Sequence, residues 1–151
     1  MEKETLVKKL NWFYSLELNQ VDLYKTQGKH VEPDIRLIFE RIAKIEQDHV
    51  DNIAAEIHKL GETPTPLGDL IFPIIGSVTG SFLSLTGAQN VLKADIRLEE
   101  HATKEYKNLV EALRKDYYPD AELIKVLESN CVDEQLHTAW FSEHLKEIQV
   151  H

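Results

Sequence analysis

Apolar residues in the first quarter of the chain recur three and four positions apart. Leu6, Leu10, Phe13 and Val21 share one helical face, and the spacing predicts a helix over 6–24 that stops near Gly28. A second start follows at Pro33-Asp34, where proline suits a first helical turn. The stripe Ile35, Ile38, Ile42, Ile53 and Ile57 carries that helix to Leu60, with Gly61 as terminator. Glu62-Thr-Pro-Thr-Pro66 cannot be helix interior and marks a break. A third periodic segment covers about 88–115, Tyr117-Tyr-Pro-Asp120 is a turn, and a fourth segment covers about 120–149. No stretch sustains the period-two alternation of a half-buried strand. The pattern predicts an all-α protein, a single domain over 1–151.

Four helices of about 25 residues, roughly 37 Å each, account for most of the chain. The short connections at 28–33 and 116–120 imply antiparallel neighbours, and the long connection at 61–87 suits a crossover between two helix hairpins. The expected architecture is a four-helix bundle with a long apolar crossover. That crossover carries no Asp, Glu, Lys or Arg from 70 to 92, yet Pro73, Gly76, Gly80 and Gly87 interrupt it. A membrane-spanning helix would be more uniformly apolar. Two readings remain for 67–92: a segment packed on the bundle or at a subunit contact, hence a homo-oligomer, or a surface for peripheral membrane contact or an apolar substrate.

Polar residues break the apolar stripes at matching places. Glu17 shares a face with Leu10, Phe13 and Tyr24. Glu46 and His49 fall between Ile42 and Ile53. Glu99 shares a face with Leu92, Asp95, Ala102 and Tyr106, and Glu134 and His137 lie on the face of Leu127 and Phe141. With 17 glutamates and seven histidines, a Glu-x-x-His pair or so arises by chance, so the pairs alone prove little. Order and phase carry the signal. A lone Glu is followed by a Glu-x-x-His, twice, and Tyr24 and Tyr106 each stand seven residues after the lone Glu.

Carboxylates converging in an apolar interior repel and lose hydration unless protonated or neutralised. Two divalent cations would balance four glutamates, with two neutral imidazoles completing the set. Six ligand residues for two metals leave open coordination positions, which oxygen chemistry requires. The residues therefore predict a dinuclear site on Glu17, Glu46, His49, Glu99, Glu134 and His137. Tyr24 and Tyr106 are either core aromatics or redox or hydrogen-bonding partners of the site. Asp133 is either an exposed acid or one that orients a histidine from behind. Glu100 points about 100° away from Glu99 and belongs to the surface. His30, His58, His101 and His144 lack a carboxylate one turn back and read as structural or solvated.

Composition narrows the classes. The 151 residues hold 26 acidic against 17 basic side chains, a formal charge of −9, which argues against a nucleic-acid binder. The single cysteine, Cys131, excludes an internal disulfide and any four-cysteine zinc or iron–sulfur module. Met1-Glu2-Lys3-Glu4 has no apolar run behind it, so no signal peptide is expected and a cytoplasmic, or membrane-associated, location is.

On these residues the chain resembles the ferritin-like di-iron carboxylate superfamily. Within it the sequence is most similar to the demethoxyubiquinone hydroxylases, through Glu17 with Tyr24, Glu46-Gln-Asp-His49, the Pro66…Pro73…Gly76…Gly80…Gly87 connection, Leu98-Glu99-Glu100…Tyr106 and Asp133-Glu134-Gln-Leu-His137. Bacterioferritin and rubrerythrin are less similar: the chain has no methionine after Met1 to ligate haem, and no rubredoxin cysteines. The resemblance implies two iron ions, with manganese or zinc acceptable to the same donors. It implies an oxidoreductase of the monooxygenase kind that activates O2 or peroxide, draws on an external electron donor, and hydroxylates a quinone-like ring. The alternatives are a ferroxidase, iron-binding or peroxide-scavenging protein, and a helical interaction module that holds metal for stability alone.

Overall fold

The computed structural model describes residues 1–75 and 87–150. Five helices run through them: α1 (Lys3–Gly28), α2 (Pro33–Lys59), α3 (Ile71–Ile75), α4 (Ala88–Lys115) and α5 (Ala121–Val150). No strand occurs among the described residues. The four long helices match the four periodic segments, extended by a few residues at the first start. α3 is the difference. It lies inside the stretch expected to be plain crossover, because a short apolar run does not declare its own conformation. Pro73 is tolerated there, within the first turn.

The chain divides into two compact units, 1–70 and 71–151. In the first, α1 and α2 pack as an antiparallel hairpin. The register is visible in its contacts: Tyr24 meets Phe39 with ring centroids 6.1 Å apart, and Lys3 pairs with Glu62 at 3.0 Å. At the tight end, a Cβ added to Gly28 would come 3.2 Å from Phe39 Cβ, so glycine lets the helices close there. Arg36 Nε donates to the Gly28 carbonyl at 3.1 Å, satisfying one of the acceptors that a helix end leaves over. The buried stripe of α1 holds Leu6, Leu10, Phe13, Leu16 and Val21, and that of α2 holds Phe39, Ile42, Val50, Ile53 and Ile57.

A second feature of this unit is the seating of the segment after α2. Thr65 N donates to Asn11 Oδ1 at 2.8 Å, Leu67 N to Ser15 Oγ at 2.8 Å, and Leu70 N to Asn19 Oδ1 at 2.7 Å. Asn11, Ser15 and Asn19 stand four apart on α1, so one polar ridge lines up with successive amides of the segment. Ser15 Oγ also donates to Asn11 O at 2.7 Å.

In the second unit α4 and α5 form another antiparallel hairpin. Arg114 pairs with Glu128 at 2.6 Å, and Cys131 Sγ donates to Thr103 O at 3.7 Å. Gly87 caps α4 at φ 96°, a left-handed backbone natural to glycine. Asp120 Oδ1 accepts from Leu123 N at 3.0 Å and caps the start of α5. α3 packs on α4, and its Ile71 and Ile75 are buried. No helix among the described residues is long and apolar enough to cross a membrane. Residues 76–86 of the segment considered for membrane or subunit contact, 67–92, lie outside the described residues.

Candidate metal centre

Each hairpin assembles half of the expected ligand set. In the first unit, α1 supplies Glu17 from its middle, and α2 supplies Glu46 with His49 one turn on. His49 Nδ1 lies 3.0 Å from Glu46 Oε2 and 3.5 Å from Glu17 Oε2. In the second, α4 supplies Glu99 and α5 supplies Glu134 and His137, with His137 Nδ1 3.5 Å from Glu99 Oε2. Glu17, Glu46 and His49 can each offer a ligand atom within 4.8 Å of the other two, and so can Glu99, Glu134 and His137. The same ring nitrogen, Nδ1, faces the carboxylates in both halves.

These groups are deeply buried. Glu17, Glu46, Glu99 and Glu134 are each 0% exposed, and Asp95 joins them at 0%. No lysine or arginine is buried among the described residues. Glu56, also buried, is paired with Lys59 Nζ at 2.6 Å. Two carboxylates about 4 Å apart repel by about 4 kcal/mol at an effective dielectric of about 20. Protons or divalent cations must therefore accompany the set. Hard oxygen donors with imidazole nitrogen fit iron, manganese or zinc, and a divalent ion would be held by Glu17, Glu46 and His49 in one half and by Glu99, Glu134 and His137 in the other.

The other residues singled out in the sequence divide by burial. Tyr24 and Tyr106 are both fully buried. Tyr24 packs against Phe39, and the Tyr106 hydroxyl accepts from Asn130 Nδ2 at 3.2 Å. Asp133 is half-buried beside Glu134, and Glu100 is exposed. His30 and His58 are exposed, His101 is half-buried, and His144 stacks on Trp140 with ring centroids 5.0 Å apart. Sequence reasoning passed over Gln20 and Asn130, and gave Asp95 no role. All three are buried polar residues on ligand-bearing faces. The signal was available: Gln20 is three after Glu17, Asp95 four before Glu99, and Asn130 four before Glu134.

The model of the ferritin-like domain family matches residues 7–150. Among solved structures, the chain is similar to a bacterioferritin from Desulfovibrio desulfuricans, whose diiron site has been described in different catalytic states. The TM-score is 0.80 at 18% identity, covering 97% of this chain and 81% of that one. No curated protein sequence matches this chain significantly. The structural likeness extends the all-α assignment to the ferritin-like helical bundle fold. The narrower similarity to demethoxyubiquinone hydroxylases has no counterpart in these comparisons. With the family model covering nearly the whole length, and both helix hairpins presenting the Glu and Glu-x-x-His pattern, the chain belongs to the ferritin-like domain family.

Proposed function

We propose that Glu17, Glu46 and His49, with Glu99, Glu134 and His137, hold two iron ions and that the protein is an iron oxidase: ferrous iron is bound, and oxidised by O2 or peroxide. The observation that carries this reading is the burial of four glutamates and two histidines on matching positions of two hairpins, with no buried lysine or arginine beside them among the described residues. The likeness to a bacterioferritin favours iron as substrate over an organic ring. Bound iron supplies the redox chemistry. The chain holds it: four carboxylates balance the charge, and His49 and His137 contribute neutral nitrogen through Nδ1. Burial keeps bulk water from competing for the same positions. Electrons then come from ferrous iron itself, and no separate donor is required.

The second reading is hydroxylation of a quinone-like or other apolar substrate with an external electron donor. It is favoured by the uncharged stretch 70–92. One experiment separates the two. Protein loaded anaerobically with Fe(II) is exposed to O2 with and without a quinone analogue and an electron donor. Iron oxidation that outlasts many equivalents of Fe(II) without the analogue supports the iron oxidase, and a large oligomer on gel filtration would extend it to storage. Oxygen uptake that needs the analogue, at iron equal to the sites, would replace it with the hydroxylase. A chain that binds no metal would end both.

A further inference from the structure

α5 carries apolar residues on two sides. Its buried stripe runs through Leu123, Leu127, Glu134, His137 and Phe141. On the opposite side of the helix, Val132 and Leu136 are 52% and 61% exposed, with exposed Ser129 and Ala139 one step to either side. The other helix of this hairpin has no such face: from Lys93 to Lys115 every exposed position of α4 is a charged or amide side chain. Beyond its apolar centre the α5 stripe continues through Glu122 and Lys125 on one side and Glu143 and Lys146 on the other, all exposed. From Glu122 to Lys146 the spacing alternates three and four without a break, the repeat of a two-helix seam.

We propose that this stripe is the seam of a dimer of the chain, two copies of α5 packed antiparallel about a two-fold axis level with position 134. Positions equally far from 134 then meet: Val132 with Leu136 of the second copy, Ser129 with Ala139, Lys125 with Glu143, and Glu122 with Lys146. A two-fold axis repeats every pair, so two opposite-charge pairs flank the apolar centre at each end. Neither a parallel nor a shifted pair does this. Parallel helices in register would set Lys125 on Lys125 and Glu143 on Glu143. Sliding the antiparallel pair by one heptad would set Lys125 against Leu136, or Glu143 against Val132, and desolvate charge on apolar side chains. Within one copy Glu143 and Lys146 form an exposed pair at 3.5 Å, worth little by itself and readily exchanged for the pairs across the seam. One helix pair of about 37 Å lies at the small end of specific interfaces, below ~1,200 Å² in total, so association should be micromolar and concentration-dependent.

Sedimentation equilibrium of the metal-free full chain, from low micromolar to submillimolar, reads the mass directly. The wild type should pass from monomer to dimer over that range. Leu136→Glu sets two carboxylates in the apolar centre and should weaken the dimer by roughly a hundredfold. Lys125→Glu turns two attractive pairs into repulsive ones and should weaken it by roughly tenfold. Adding Glu143→Lys to Lys125→Glu should restore it, and that recovery identifies the register. All three positions are exposed, so each variant should keep the helical circular dichroism of the wild type, and the charge variants decide alone if Leu136→Glu does not. A wild type that stays monomeric throughout would overturn the proposal. So would an assembly that neither Leu136→Glu nor Lys125→Glu weakens, or one that the double variant does not recover. A monomer that cosediments with phosphatidylcholine vesicles, and stops doing so in Leu136→Glu, would assign the stripe to a lipid surface and overturn the dimer as well. None of these outcomes depends on iron, so the seam and the iron-oxidase reading stand or fall separately.

Discussion

His49 Nδ1 lies 3.0 Å from Glu46 Oε2, one turn back on the same helix. Helix geometry alone brings positions three apart onto one face. What the hairpin adds is the third donor, Glu17 Oε2, 3.5 Å from the same nitrogen. Three groups that could be solvated on an isolated helix are here taken out of water together, and their mutual repulsion makes a cation the natural fourth member.

Single removals of these donors should separate ligands from bystanders. Glu46→Ala and His137→Ala are expected to weaken binding of Fe(II) or Mn(II) by tenfold or more, whereas Glu100→Ala, an exposed position, should leave it unchanged. Isothermal titration against the metal alone checks this.

Metal should also govern stability. A ligand that binds only the folded state stabilises by about 2.7 kcal/mol at a hundred times its Kd, so Mn(II) should raise Tm and a chelator should lower it again. Glu17→Gln removes one buried charge, and it should raise the Tm of the metal-free protein while shrinking the rise on adding metal. Thermal scans of both proteins with and without Mn(II) test the pair of effects, and a metal-independent Tm in the wild type would contradict it.

Cys131 sets a pH dependence. Burial pushes its thiol pKa up, with Lys107 lowering it and Glu128 adding to the rise. A raised folded pKa favours the neutral thiol, so the stability it contributes is complete below the unfolded thiol pKa of about 8.5. It is lost as pH rises through the folded value. Alkylation by iodoacetamide at about pH 8 should therefore be much slower in the folded protein than in urea, as mass spectrometry would read it.

The segment after α2 is held by hydrogen bonds more than by burial, since Thr65, Pro66, Leu67 and Gly68 are exposed. Ser15→Ala removes the acceptor for Leu67 N and should cost about 1 kcal/mol. Hydrogen exchange at Thr65, Leu67 and Leu70 should quicken severalfold, with the amides of Ile53 and Ile57 in α2 unaffected.

Asp120 gives a local control remote from the ligands. Asp120→Ala removes the cap on Leu123 N and should lower stability by about 1 kcal/mol, while Asp120→Asn should retain most of it. Metal affinity should stay at the wild-type value in both, as calorimetry would check.

The helices, and the burial of the six candidate ligands, were legible from the chain alone because both are carried by local period. A stripe recurring every three or four residues declares a helix and its inward face, and a carboxylate on that stripe declares itself wherever it stands. Glu17, Glu46, His49, Glu99, Glu134 and His137 were readable on those terms, and so, in phase though not in role, were Gln20, Asp95 and Asn130. The hydrogen bonds from Thr65, Leu67 and Leu70 back to Asn11, Ser15 and Asn19 were not. They join positions 51 to 54 residues apart, and nothing in either stretch marks the other. The bond from Asn130 to Tyr106 is of the same kind, spanning 24 residues between two helices. Periodicity determines which side of a helix is buried. Only packing two helices in register decides which buried groups touch, because that depends on rotation and axial offset that no local pattern encodes.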